Sequence, residues 1–147
     1  MPDNQGKPIS ILLVEDNPAD IRLTEESLKE AKFANILYAV TNGRAALDFL
    51  YKRGEYSDSP NVDLILLDLN LPGISGHDVL MQVKRDPELL TIPVVVLTSS
   101  ESEADIIDAY KEHANCFVSK PVDFDRFLEV VSNIQSFWFS IVKLPTS

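Results

Sequence analysis

Short apolar runs alternate with longer stretches of helical period along the whole of this chain. The runs are ISILLV, NILYAV, VDLILLD, IPVVVLT and NCFVS, spaced about twenty to thirty residues apart, which is the rhythm of βαβ units. VDLILLD and IPVVVLT are continuously apolar, as expected for strands that helices cover on both faces. The pattern predicts an α/β fold, a doubly wound parallel sheet of five strands with five helices.

Capping residues mark where helices begin. Asn17 is suited to the N-cap of the first helix, since a proline follows it at the first helical position, and this helix is predicted to run to about Lys32. Ser102 opens the fourth helix in a similar way. The stretch YKRGEYSDSPN, residues 51–61, is rich in turn formers and without period, so it predicts a long loop before the third strand. That loop is either an interaction loop or a tolerated insertion.

The length of 147 residues, 45% of them hydrophobic, suits one compact domain with short tails. We expect a flexible N-terminal tail over residues 1–8, a folded domain over 9–136 and an apolar C-terminal tail over 137–147. That tail would add an apolar patch of the kind found at interfaces, so we expect it to form a homodimer contact, the alternative being that it folds back on its own domain. Its candidate contact residues are Phe137, Trp138, Phe139, Ile141 and Val142.

Charge and composition exclude several classes of protein. Asp and Glu number 23 against 13 Lys and Arg, a formal charge of -10, so a nucleic-acid backbone would be repelled. The first ten residues are polar, and no apolar segment approaches the roughly 18 residues that span a bilayer, so we expect neither secretion nor a membrane partner. A single cysteine, Cys116, offers no disulfide framework and is interpreted as a strand hydrophobe in a cytoplasmic protein.

Acidic residues stand at the ends of two predicted strands. Glu15 and Asp16 follow the first strand, and Asp68 closes the third. In an open sheet of order 2-1-3-4-5 these strands are neighbours, and ligands gather at their carboxyl ends. Three carboxylates there would repel one another unless a cation neutralised them, and Mg²⁺ prefers such hard oxygen ligands. The sequence therefore predicts a divalent metal site.

A hydroxyl and an ammonium group are predicted at the same edge. Thr98 ends the fourth strand and Lys120 follows the fifth. This set suits in-line phosphoryl transfer, with Asp68 as the nucleophile, Thr98 donating a hydrogen bond to a phosphoryl oxygen, and Lys120 offsetting its charge.

The acidic pair, the LLDLNLP segment, the strand-end threonine and the Lys-Pro pair together resemble the receiver domains of two-component signalling, which have a flavodoxin-like fold. The resemblance covers residues 9–135. It implies that Glu15 and Asp16 help to hold Mg²⁺, that Asp68 accepts the phosphoryl group and also binds the metal, and that Asn70 contributes its backbone carbonyl.

The same resemblance assigns a signalling switch. It implies that Thr98 and Lys120 sense the phosphoryl group, that Phe117 is the aromatic residue that swings inward, and that the bond before Pro121 is a candidate cis peptide. The surface that changes is the one formed by the fourth helix, fifth strand and fifth helix. The family often has a tyrosine where this chain has Phe117, so no hydroxyl is available to partners at this position.

The loop at 51–61 and the tail FWFSIVKLP are similar to those of the small cyanobacterial-type phytochrome response regulators, some of which dimerise. This narrower resemblance implies a sensor histidine kinase of phytochrome type as phosphoryl donor and another protein as the downstream partner. The chain would then be no enzyme beyond catalysing its own phosphorylation and dephosphorylation.

Other functions compete with this interpretation. A receiver-like docking module would act without phosphorylation. A Mg²⁺-dependent aspartyl phosphatase of the haloacid dehalogenase type would want a D-x-D motif, whereas the matching position here is Asn70. A dinucleotide or flavin site would want glycines after the first strand, and EDNPAD has none. His77 and His113 have no partner at metal-ligand spacing, so they are assigned surface or helix-end roles.

Overall fold

The computed structural model describes residues 8–30, 34–69, 71–98 and 116–119, with the main chain alone for residues 98 and 116–119. The strands are β1 (Ile9–Val14), β2 (Asn35–Val40), β3 (Leu64–Asp68), β4 (Val94–Thr98) and β5 (Cys116–Ser119). The helices are α1 (Pro18–Lys29), α2 (Gly43–Tyr51) and α3 (Gly76–Arg85), with a 3-10 turn at Gly54–Tyr56.

The strands form one sheet in which every described pairing is parallel, in the order β2-β1-β3-β4-β5. β1 lies between β2 and β3, with Val14 in register with Val40 on one side and Leu67 on the other. Strand order reverses beside β1, so the carboxyl ends of β1 and β3 border the crevice where such folds bind ligands. The predicted parallel sheet with flanking helices is confirmed, while the predicted fourth and fifth helices lie outside the described residues.

Alternate side chains of β1 and β3 enter two separate cores, because successive residues of a strand point to opposite faces. Leu12 and Val14 of β1 pack with α2 and α3 on one face, where Leu80 is fully buried. Ile11 and Leu13 pack on the other face, against Leu28 of α1. Helices on both faces explain why β3, with the sequence LILLD, is buried at every position.

Each described helix begins at a side-chain cap. Asn17 Oδ1 accepts from the backbone N–H groups of Ala19 and Asp20 at the start of α1, as predicted. α1 ends at Lys29, earlier than the predicted Lys32, because the N–H of Glu30 turns back to the carbonyls of the last turn. None of the helices in the described part of the chain is long and apolar enough to cross a membrane.

The segment 51–61 is fastened to α2. Lys52 caps that helix in the left-handed conformation, at φ 57°. The ring of Tyr56 then packs on Phe49, with centroids 5.5 Å apart, and Ser59 Oγ donates to the Phe49 carbonyl at 2.7 Å. The predicted loop is present from Lys52, since Tyr51 is still part of α2, and it contains the 3-10 turn at Gly54–Tyr56. It lies at the amino-terminal edge of the sheet, where β3 begins.

Candidate functional site

Three carboxylates converge at the carboxyl edge of the sheet. One oxygen from each of Glu15, Asp16 and Asp68 lies within 4.8 Å of the others, and we call this set the acidic cluster. Among the described residues it is the one place where three ligating side chains of this kind meet. Glu15 is 1% and Asp68 3% exposed, whereas Asp16 is exposed. Two carboxylates of the cluster are thus buried, and the third is exposed to solvent.

The turn after β1 fixes the first two members of the cluster. The Glu15 N–H donates to the carbonyl of Val40 at 3.0 Å, which extends the ladder one residue past the strand. Glu15 Oε2 then accepts from the N–H of Asn17 at 3.2 Å, while the Asn17 side chain caps α1. Asp16 is held between these two anchored residues. The start of α1 and the buried carboxylate are therefore parts of one rigid turn.

Asp68 is placed by the end of β3. It lies in register with Leu97 of β4, and the N–H of the next residue, Leu69, donates to the Leu97 carbonyl at 3.3 Å. The chain then returns quickly, because the Gly76 N–H at the start of α3 donates to the Leu69 carbonyl at 3.3 Å. The ladder and this return contact hold the Asp68 backbone from two sides.

The acidic cluster fits a small divalent cation. All three donors are carboxylate oxygens, the ligand type that Mg²⁺ and Mn²⁺ prefer, and they converge closely enough to share one ion. Burying two of them without a compensating cation is unfavourable, since each loses water and faces a like charge. The arrangement can therefore hold a metal ion at two buried carboxylates and one exposed carboxylate.

The structure places the remaining predicted site residues only in part. The Thr98 main chain closes β4 and is in register with Ser119, so both stand at the edge that carries the acidic cluster. The main chain of Phe117 lies within β5, in register with Val96. The roles of both side chains stay predictions. Asn70, Lys120 and Pro121, the contact residues of the 137–147 tail and His113 lie outside the described residues.

Sequence reasoning missed two features of the site. Asn17 was predicted as a helix cap, but its backbone bond to Glu15 depends on the shape of the turn. Gly76 was not singled out, although a glycine that opens a helix instead of ending one is a signal for close packing. His77, next to it in the first turn of α3, is half-buried and is not a member of the acidic cluster.

Comparison with known proteins identifies the family. The family model of the response regulator receiver domain matches residues 11–132. The chain belongs to this family. Every described member of the acidic cluster lies inside the matched range of this receiver domain, so the predicted resemblance is confirmed.

Relatives of the receiver domain match it over almost their full length. Response regulator Rcp1 of Synechocystis is 45% identical over 147 residues, all of both chains. The crystal structure of the Mn²⁺-bound form of Rcp1 has a TM-score of 0.79 at 46% identity, covering 91% of this chain and 96% of that one. The phosphorylated cyanobacterial phytochrome response regulator RcpA has the same TM-score and coverage at 42% identity. The chain is thus similar to small phytochrome-associated response regulators, as predicted.

Proposed function

We propose that this receiver domain is a phosphorylation-dependent response regulator whose phosphoacceptor is Asp68. The observation that carries the proposal is the convergence of a buried aspartate, at the end of β3, with two further carboxylates at the carboxyl edge of the sheet. A carboxylate in this position can act as a nucleophile, and its neighbours can hold the cation that phosphoryl transfer needs. That RcpA has been solved in a phosphorylated form supports this function for a close relative.

The transfer exchanges one bond to phosphorus for another. A carboxylate oxygen of Asp68 attacks the phosphorus of a phosphohistidine, a phosphorus–oxygen bond forms, and the phosphorus–nitrogen bond breaks. The electron pair stays on the leaving imidazole nitrogen, which takes a proton from solvent. Asp68 then carries an acyl phosphate, which water later hydrolyses to regenerate the carboxylate. The receiver domain thus catalyses transfer of the phosphoryl group to its own side chain and the later hydrolysis of that acyl phosphate.

A metal belongs to this site, with Mg²⁺ as the expected ion. Glu15, Asp16 and Asp68 would hold it through side-chain oxygens, and Asn70 through its backbone carbonyl. When bound, Mg²⁺ supplies positive charge that offsets the charge of the phosphoryl oxygens. Glu15 and Asp68 are almost fully buried, and the backbone N–H of Asn17 donates a hydrogen bond to the Glu15 carboxylate, so both side chains have little freedom to move. The Mn²⁺-bound form of Rcp1 supports a divalent ion of this kind.

The signalling step is proposed to use the predicted switch. Thr98 and Lys120 would contact the phosphoryl oxygens, and Phe117 would turn inward as Thr98 moves. The main chain supports this, since Thr98 and Ser119 stand side by side at the edge of the acidic cluster and Lys120 follows at once. Output would pass through the surface of the fourth helix, fifth strand and fifth helix to a protein partner.

The complete fold is inferred to be the flavodoxin-like receiver fold, with five strands in the order 2-1-3-4-5 and five helices. The described pairings support it, as does the family match to residue 132. The folded domain is proposed to cover residues 9–136, with tails at 1–8 and 137–147. The apolar C-terminal tail is proposed as a homodimer contact. Truncation after Gln135 should then convert a dimer to a monomer in light scattering, and an unchanged mass would remove the tail from the interface.

The phosphoryl donor is proposed to be a sensor histidine kinase of phytochrome type, on the support of RcpA and of the bacteriophytochrome response regulators that share this fold. The test is transfer of label from an autophosphorylated phytochrome-type kinase in the presence of Mg²⁺. Wild type and Asp58→Asn, an exposed aspartate outside the site, should accept the label, and Asp68→Asn should not. Label on Asp68→Asn would refute the assignment, and label on none of the three would favour a docking module that acts without phosphorylation.

A further inference from the structure

The first residue of α3 lies in unusually close contact with the backbone of the proposed phosphoacceptor. A Cβ atom built on Gly76 would stand 2.5 Å from Cα of Leu69, and it would collide with the carbonyl oxygen of Asp68. Real Cβ atoms essentially never approach other atoms at such distances. The start of α3 can occupy this position only because residue 76 has no side chain.

Neither side of this contact can easily move. Asp68 is held in register with Leu97, and the Leu69 N–H is bonded to the Leu97 carbonyl. On the other side, α3 is fixed by its Ser75 cap and by the burial of Val79 in the core. A side chain at position 76 would therefore displace the Asp68–Leu69 peptide, the α3 start, or both.

Helix formation does not explain the glycine. Within a helix, glycine is less favourable than alanine because it loses more conformational freedom on folding. At a position without close neighbours, replacing it with alanine would raise stability. The close approach to Asp68 is the feature that a side chain would abolish.

A second glycine lies against the connection between β3 and α3. A Cβ on Gly43, the first residue of α2, would lie 2.7 Å from the carbonyl oxygen of Ile74. Ile74 belongs to the short connection between Leu69 and Gly76. The first residues of α2 and α3 thus both pack closely against the segment from Asp68 to Ile74.

We propose that Gly76 is a positioning residue for Asp68, and that Gly43 supports it by holding the connection between β3 and α3. The inference rests on the proposed function, since it assigns Gly76 the task of keeping the phosphoacceptor carboxylate in line with its donor and beside its two acidic neighbours. Displacement of reacting atoms by about 1 Å can cost roughly a hundredfold in rate. Gly76 acts through the backbone of Asp68 and touches no reacting atom.

The test compares Gly76→Ala with Gly54→Ala, a matched control. Gly54 has a φ of 58°, so alanine is strained there, but nothing lies within 4 Å of its Cβ position and it is at the opposite edge of the sheet. Both variants should melt below wild type. Two quantities are then measured at a temperature where all are folded: the affinity for Mn²⁺ by calorimetry, and the rate of phosphorylation by acetyl phosphate at saturating Mn²⁺.

The inference predicts that Gly76→Ala is phosphorylated roughly tenfold more slowly or worse, while Gly54→Ala stays within about twofold of wild type. Equal rates in the two variants would overturn it. If wild type takes no phosphate, the proposed function fails, and the Mn²⁺ affinity decides the positioning: weaker binding by Gly76→Ala than by Gly54→Ala supports it and equal binding overturns it. If Gly76→Ala does not fold, Gly43→Ala replaces it with the same criteria.

Discussion

Replacing Asp16 by asparagine should stabilise the metal-free receiver domain, although it removes a proposed metal ligand. The Asp16 oxygen lies within 4.8 Å of oxygens from both Glu15 and Asp68. Asparagine is nearly the same size and carries no charge. The substitution therefore removes two like-charge repulsions and leaves the packing of the turn unchanged.

The expected gain follows from Coulomb's law. At 4.8 Å, two unit charges repel by about 0.9 kcal/mol in bulk water and by about 3.5 kcal/mol at an effective dielectric constant of about 20. Because Asp16 is exposed, the value for water is the better guide, and two such pairs give a gain of about 1–2 kcal/mol. For a domain of this size that is a rise in Tm of roughly 3–8 °C.

The assay is thermal unfolding in EDTA and then in excess Mg²⁺. Metal at about 100 times its Kd adds about 2.7 kcal/mol to the stability of the protein that binds it. Wild type should show this increase, and Asp16→Asn should lose most of it. The gain in EDTA should shrink in about 1 M salt, where the screening length is only about 3 Å. Asp58→Asn, which removes an exposed charge outside the cluster, controls for net charge.

Two outcomes would refute this reasoning. If Asp16→Asn melts in EDTA no higher than Asp58→Asn, the cluster carries no net repulsion that this substitution relieves. If Mg²⁺ raises the Tm of Asp16→Asn as much as that of wild type, Asp16 is not a ligand of the ion. Asp16→Asn is expected to raise the Tm in EDTA and to reduce the rise in Tm that Mg²⁺ causes. A general change in stability would not produce both effects.

Substitutions at three further positions test the account elsewhere. Asn17→Ala should lower the free energy of unfolding by about 1 kcal/mol, because the cap of α1 is lost, and should weaken Mn²⁺ binding, because the turn at Glu15 is disturbed. Asn17→Ser keeps a capping oxygen and should restore the stability in denaturant melts and the Mn²⁺ affinity in calorimetry. Burial lowers the pKa of Lys84 in the folded protein below its unfolded value of 10.5. As pH rises from the lowered pKa to 10.5, wild type should therefore gain stability relative to Lys84→Met, because the unfolded chain binds more protons. A stability difference that stays constant in melts across this pH range would contradict the prediction. The Tyr51 hydroxyl donates a hydrogen bond to Asp86 at 2.7 Å, and this bond lowers the pKa of the Asp86 carboxyl from its usual 3.8. Wild type should therefore be more stable than Tyr51→Phe above pH 3.8. In acid melts this difference in stability should disappear as the pH falls through the lowered pKa.

The fold was predictable because its strands are short apolar runs and its helix caps are local. β1 and β2 occupy the residues of ISILLV and NILYAV, and Asn17 caps α1 where a proline follows it. The acidic cluster was predictable for a related reason: parallel strands that are neighbours end at the same edge, so residues distant in sequence meet there.

The end of one helix, and the contacts that arise from the packing of helices and loops, were not predictable from the sequence. The length of α1 was overestimated, since its last residues have helical composition while the Glu30 N–H closes the helix after Lys29. The contact of Gly76 with the Asp68 backbone arises from the position of α3 against the sheet, which a single sequence does not specify. The Tyr51 hydroxyl and Asp86 are 35 residues apart and meet only in the folded chain.

The most direct test of the central claim is intact-mass spectrometry of the receiver domain after incubation with Mg²⁺ and acetyl phosphate, followed by mapping of the modified peptide. The account predicts one phosphoryl adduct, labile in base, on the peptide that contains Asp68, dependent on Mg²⁺ and absent from Asp68→Asn. Asp58→Asn should carry the adduct as wild type does. An adduct that persists in Asp68→Asn, or a folded protein that binds Mg²⁺ and gains no phosphate, would contradict it.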